Sequence, residues 1–142
     1  MIVVGRGNNF GWSLLVMRFL RSLLSRLHWL AFGKPNDFKK NEQVRAVMRG
    51  NGDSCRIPRA IDHYAYFPTE TERADYRAFV IARGYGIDHE DRDDDRKYPC
   101  GIIFIKVQVP DDIDDETMLL EVTAMQMKGG YDGWVTDVVR QA

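Results

Sequence analysis

Asp53, Arg59 and His63 form one candidate cluster by residue type and spacing. Arg59 and His63 project from one face of an expected strand, with Asp53 in the turn before it; such a cluster could bind a peptide carboxylate or a phosphate. The packing alternative is a histidine under the helices and an arginine paired at the strand end. His89, Glu90, Asp91, Asp93, Asp94 and Asp95 supply oxygen ligands of the kind calcium and magnesium take, yet the run lacks the EF-hand alternation, its central glycine and its closing glutamate. A solvated charged loop is the expectation there. Cys55 and Cys100 have no base at motif spacing and form no Cys-x-x-Cys pair, and neither a Gly-x-Gly-x-x-Gly nor a Walker lysine motif occurs. No catalytic residue, metal site or cofactor is therefore expected, and the chain reads as non-enzymatic.

One more run stands out: Gly129, Gly130, Tyr131, Asp132, Gly133 and Trp134. Two glycines that stop a helix, then a turn carrying two large aromatics, specify backbone and contact surface together. Tyr131 and Trp134 are candidates to anchor a protein partner, since aromatic residues dominate interface hot spots. Alternatively Trp134 packs in the core and Tyr131 caps the helix end, while Asp132 and Gly133 shape the turn.

The elements that must position these residues follow from periodicity. A short helix is predicted over 37–49, with Phe38, Val44, Val47 and Met48 apolar and Gly50 as its stop. Ile57 to Phe67 reads as a strand with Ile61, His63, Ala65 and Phe67 on one face and Asp62, Tyr64 and Tyr66 on the other. Thr69 and Glu72 make a capping box for a helix reaching Arg83, with Ala74, Phe79, Val80 and Ile81 apolar and Gly84 as its stop. A short strand over 85–89 and a charged hairpin loop over 90–97 precede the most β-prone run, 102–109, a central strand. Past Pro110, acidic Asp114 to Glu116 open a helix carrying Leu119, Leu120, Val122 and Met125, and 131–139 is the last strand.

The chain has 142 residues and a net charge of −1, unevenly spread. Residues 1–40 carry seven basic side chains against Asp37 alone, so the rest carries −7. A chain this long buries roughly 68–70% of its unfolded surface, so neither a disulfide nor a structural metal is required, and with no signal peptide a reducing cytoplasm is expected. Residues 13–32 read as an amphipathic helix with Arg18, Arg21 and Arg26 opposite a leucine face. Each arginine costs about 2.5–3.5 kcal/mol at a bilayer centre, which argues against a spanning helix. Three roles fit: lying on an anionic membrane surface, docking into a partner's groove, or packing on the main domain or a second copy. The expected organisation is thus a basic helix and connector over 1–36 and a domain over 37–142.

Strand, helix, strand, strand, helix, strand is the order of a ferredoxin-like α+β fold, βαββαβ, with one antiparallel sheet and two helices on one face. Its open sheet face and edges are candidate binding surfaces. Tyr64 and Tyr66 on one face of the first strand would suit base stacking in a single-stranded RNA binder, but the acidic body makes nucleic acid an unfavoured partner.

Asn51, Gly52 and Asp53, then Pro58, Arg59, Ile61, His63 and Phe67, then Gly84 and Tyr85, and finally Gly130 to Trp134 occur in an order that resembles the bacterial regulator of ribonuclease E activity B family. The resemblance covers roughly residues 40–140. It implies a small ferredoxin-like protein without catalysis of its own, acting in RNA metabolism by binding the noncatalytic part of ribonuclease E and inhibiting cleavage. Two features differ from that pattern: only eight residues come after Trp134, where the inhibitory members carry a long acidic tail, and a basic helix precedes the domain. The expectation is a cytoplasmic, protein-binding regulator of ribonuclease E or another RNA-processing component. A membrane-tethered adaptor or immunity-type binding protein, and a weak single-stranded RNA binder, are the alternatives.

Overall fold

The computed structural model describes residues 36–141. Side-chain burial is described over 39–141, so the expected basic helix with Arg18, Arg21 and Arg26 lies outside the described residues. The described elements are α1 (Asn36–Gly50), β1 (Arg59–Phe67), α2 (Glu70–Ala82), β2 (Gly86–Arg92), β3 (Cys100–Gln108), a 3-10 turn (Pro110–Asp112), α3 (Asp114–Gln126) and β4 (Gly130–Val135). Among them are three helices and one four-stranded sheet of order β2-β3-β1-β4, every pairing antiparallel. No described helix is long and apolar enough to cross a membrane.

The alternation expected in β1 holds: Ile61, His63, Ala65 and Phe67 are buried, while Asp62, Tyr64 and Tyr66 lie half-buried on the opposite face. Tyr76 and Val80 of α2 and Leu120 and Ala124 of α3 join Ala65, Phe67, Ile102 and Phe104 in one core, so both helices cover the same face of the sheet. A second cluster of Met48, Cys55, Ile61, Ile113 and Trp134 seats α1 against β4 and α3. The Asn41 amide fixes this seat by donating to Asp114 and Thr117 (2.9 Å each) and accepting from the Trp134 indole (2.7 Å). Arg45 adds a fork onto Asp114 at 2.8 and 3.0 Å.

Thr69 caps α2 by accepting from the Glu72 amide, as its capping box requires. All three described helices end in Schellman pairs, with Gly52, Gly84 and Lys128 as the left-handed residues. Two expected stops therefore move. Gly50 is inside α1, and the chain leaves α3 at Lys128 (φ 63°) rather than through Gly129 and Gly130. Gly129 is required for another reason: a Cβ there would stand 2.4 Å from both the Phe67 ring and the Tyr66 carbonyl oxygen.

The charged segment is also shorter as a loop than expected, because β2 continues through Glu90, Asp91 and Arg92. Arg73 and Arg77 of α2 approach Glu90, and Arg92 approaches Glu70, so neighbouring charges balance this strand. Ile81, Val47 and Met125, expected among the apolar faces, are exposed at 44%, 66% and 64%, and Tyr76, Thr117 and Thr123 take buried helix positions instead.

The run 131–134, expected as a turn opening the last strand over 131–139, lies within a bulged strand that ends at Val135. Tyr131 pairs with Ala65 and Gly133 with Tyr64, so Asp132 is the extra residue. Without it, Tyr131 and Trp134, three apart, would point to opposite faces; the bulge turns both inward. Gly133 supplies the φ of +106° that the bulge requires.

Candidate docking surface on the open sheet face

Asp53, Arg59 and His63 are not brought together as one ligand site. Asp53 and Arg59 are buried against each other, with the guanidinium forked onto the carboxylate. Asp53 also accepts from the Cys55 and Val139 amides (2.8 Å each), and Arg59 donates to the Ile57 and Asp137 carbonyls (3.0 Å each). The Arg59 hydrogen bonds hold the Asp53 carboxyl well below the usual range despite its burial. The pair staples the chain entering β1 to the segment leaving β4, and its hydrogen-bonding groups face one another.

His63 is fully buried. Its Nδ1 lies 2.7 Å from the Tyr131 hydroxyl and its Nε2 lies 2.7 Å from the Gln108 amide oxygen. A neutral ring satisfies both partners, with Nε2–H donating to Gln108 and Nδ1 accepting from Tyr131. The chain of bonds continues from Gln108 to the Tyr85 hydroxyl (3.2 Å), from Tyr85 to Glu116 (3.1 Å), and ends on Arg83, which grips Glu116 at 3.0 and 2.7 Å. Burial lowers the His63 pKa to about 4 and raises that of Tyr85. Burial raises Glu116 too, but the Arg83 hydrogen bonds and charge override it and hold the carboxyl below its ordinary range. A shallow cleft of about 320 Å³ lined by Lys106, Gln108, Ile113 and Glu116 reaches the outer end of this chain. Sequence periodicity placed His63 on one face with Ile61, Ala65 and Phe67, but Gln108, Tyr85 and Glu116 come from three other places and carried no local signal.

Tyr131 and Trp134 are 7% and 6% exposed, so their side chains pack inward, whereas Asp132 between them is exposed. Of the six expected contact residues, Asp132 alone presents its side chain to solvent. In the acidic segment Asp91 is forked by Arg96 (2.7 and 3.1 Å), and no metal-holding group of three or more His, Cys, Asp or Glu occurs among the described residues. Both cysteines are buried, and burial raises the Cys55 thiol.

The opposite face of the sheet carries no helix among the described residues. Its cross-strand rows set Tyr64 between Ile103 and Gly133, Tyr66 between Gly101 and Gly130, and Asp62 between Ile105 and Val135. Val107 and Val135 are exposed at 68% and 50%. Glycines thus stand beside both tyrosines, Gly133 beside Tyr64 and Gly101 and Gly130 beside Tyr66. At Gly101 the space is used: a Cβ there would stand 2.2 Å from an Asp91 oxygen and 3.2 Å from both Arg96 and the Tyr66 ring. Asp62 and Asp132 form no ion pair among the described residues. The surface combines tyrosine, aliphatic and carboxylate groups, and the unpaired negative charge of Asp62 and Asp132 disfavours a phosphate backbone.

A family model described as regulator of ribonuclease activity B matches residues 38–136, from within α1 to the end of β4. A comparison with curated proteins finds no match. The match covers every element that builds the sheet, its core and its open face, and the chain belongs to the regulator of ribonuclease activity B family.

Proposed function

We propose that this chain is a non-enzymatic regulator that binds a ribonuclease, ribonuclease E by family resemblance, through the open face of a ferredoxin-like βαββαβ sheet. The observation that carries this reading is the division of the sheet. Chemically capable residues such as His63, Arg59 and Asp53 are spent on internal bonds, while Tyr64, Tyr66, Ile103, Val107 and Val135 share a face that no described helix covers. The four-stranded order and the two helices on one face support the ferredoxin-like reading. Family membership supports ribonuclease regulation.

The test is cleavage of an RNA substrate by purified ribonuclease E of the host, with and without the full chain. Wild type is expected to slow cleavage and to co-elute with the enzyme. Val135→Lys and Tyr64→Lys, both on the open face, are expected to lose both effects while melting as wild type does. Unchanged cleavage with wild type present, or full inhibition by both variants, would overturn the reading.

A further inference from the structure

The specificity of the open face rests on the proposed docking there, and it extends to one side chain of the partner. Two tyrosines of this face already carry a cation. The Arg96 guanidinium sits 4.8 Å from the Tyr66 ring centroid while Asp91 holds its fork, and the Lys97 ammonium sits 5.3 Å from the Tyr98 ring. Tyr98 belongs to the same face, since its ring edge lies 4.0 Å from where a Cβ on Gly130 would stand. Tyr64 carries no cation among the described residues.

Its surroundings repeat those of Tyr66. Gly133 pairs with Tyr64 as Gly101 pairs with Tyr66, so each tyrosine has a cross-strand neighbour without a side chain. Asp62 shares the strand face with Tyr64, and the bulge residue Asp132 adjoins Gly133. Neither carboxylate has an ion-pair partner among the described residues. We infer that the partner presents an arginine from a basic segment, stacked on Tyr64 with its guanidinium held between Asp62 and Asp132. A planar guanidinium can stack and bind carboxylates at once, which a lysine ammonium does less well, and RNA would bring phosphate against the same two carboxylates.

The test uses the full isotopically labelled chain and four probes: oligo-arginine, oligo-lysine and oligo-citrulline of equal length, and an oligouridylate. Oligo-arginine is expected to shift the resonances of Tyr64, Asp62 and Gly133 and to bind about tenfold tighter than oligo-lysine, with oligo-citrulline inert. Tyr64→Leu should bring the arginine affinity down to that of lysine, and the double variant Asp62→Asn, Asp132→Asn should weaken both cationic probes about tenfold. Equal binding of arginine and lysine with shifts spread over the acidic loop, or oligouridylate bound on Tyr64, would overturn the inference. If ribonuclease E docks on the open face and oligo-arginine leaves Tyr64 unmoved, the arginine inference fails and the docking reading stands. If oligo-arginine stacks on Tyr64 and the ribonuclease does not dock, arginine recognition stands and the docking reading fails.

Discussion

His63 and Tyr64 are neighbours in β1 and face opposite worlds. His63 is enclosed between Tyr131 and Gln108 at the head of a hydrogen-bonded chain ending on Arg83, whereas Tyr64 lies on a sheet surface with a glycine at its side. The inner face gathers the residues that look reactive and satisfies them internally; the outer face carries Tyr64, Tyr66, Asp62 and Val135 under no described helix. The cluster of Asp53, Arg59 and His63 expected from residue type lies on the inner side of this sheet, where its hydrogen bonds are internal.

The largest break in the comparison comes from the inner face. Arg59→Ala strands a buried Asp53 carboxylate and is expected to cost about 3–5 kcal/mol in urea denaturation. Asp53→Ala strands the guanidinium with a similar loss. A smaller change in either would mean that water reaches the pair.

Acid acts on the same face. Because the folded His63 pKa, about 4, lies below the ordinary 6.5, the unfolded chain takes up the proton first as pH falls. Stability should decline as pH drops from 6.5 toward 4, by about 3 kcal/mol from this group, and flatten with respect to it below that. Asp53, held low by Arg59, adds a further loss below its ordinary range, at the acid extreme. Comparing melting of wild type and His63→Gln across pH isolates the histidine: a variant with the same slope between pH 6.5 and 4 would contradict the assignment.

Gly129→Ala sharpens the boundary between the faces, since its Cβ collides with Phe67 and the Tyr66 carbonyl; a loss of about 1–3 kcal/mol is expected from chemical denaturation. The smallest stability effect belongs to the outer face. Tyr64→Ala and Val135→Ala should remain within about 0.5–1 kcal/mol of wild type in melting, while carrying the largest effects on docking.

Much of this division was legible in advance. Strict alternation in β1 assigns His63 and Tyr64 to opposite faces because a strand has period two, and the Thr69 to Glu72 spacing sets the start of α2 because the cap is local. The bulge was not legible. It depends on a glycine at positive φ whose need arises only when β4 pairs with β1, so the expected strand over 131–139 carried no sign of its extra residue. The length of β2 was hidden likewise, because the charges that tolerate it, Arg73, Arg77 and Glu70, sit on α2. The outer face was visible as Tyr64 and Tyr66, but its extent needs the register that sets Ile103, Gly133 and Val135 beside them.

The open face as docking surface is tested most directly by titrating the noncatalytic region of ribonuclease E into the wild-type chain and into Tyr64→Lys, with melting curves recorded for both. The predicted result is a dissociation constant raised about thirtyfold or more in the variant, roughly 2 kcal/mol, at unchanged melting temperature. Equal dissociation constants for the two proteins would contradict it.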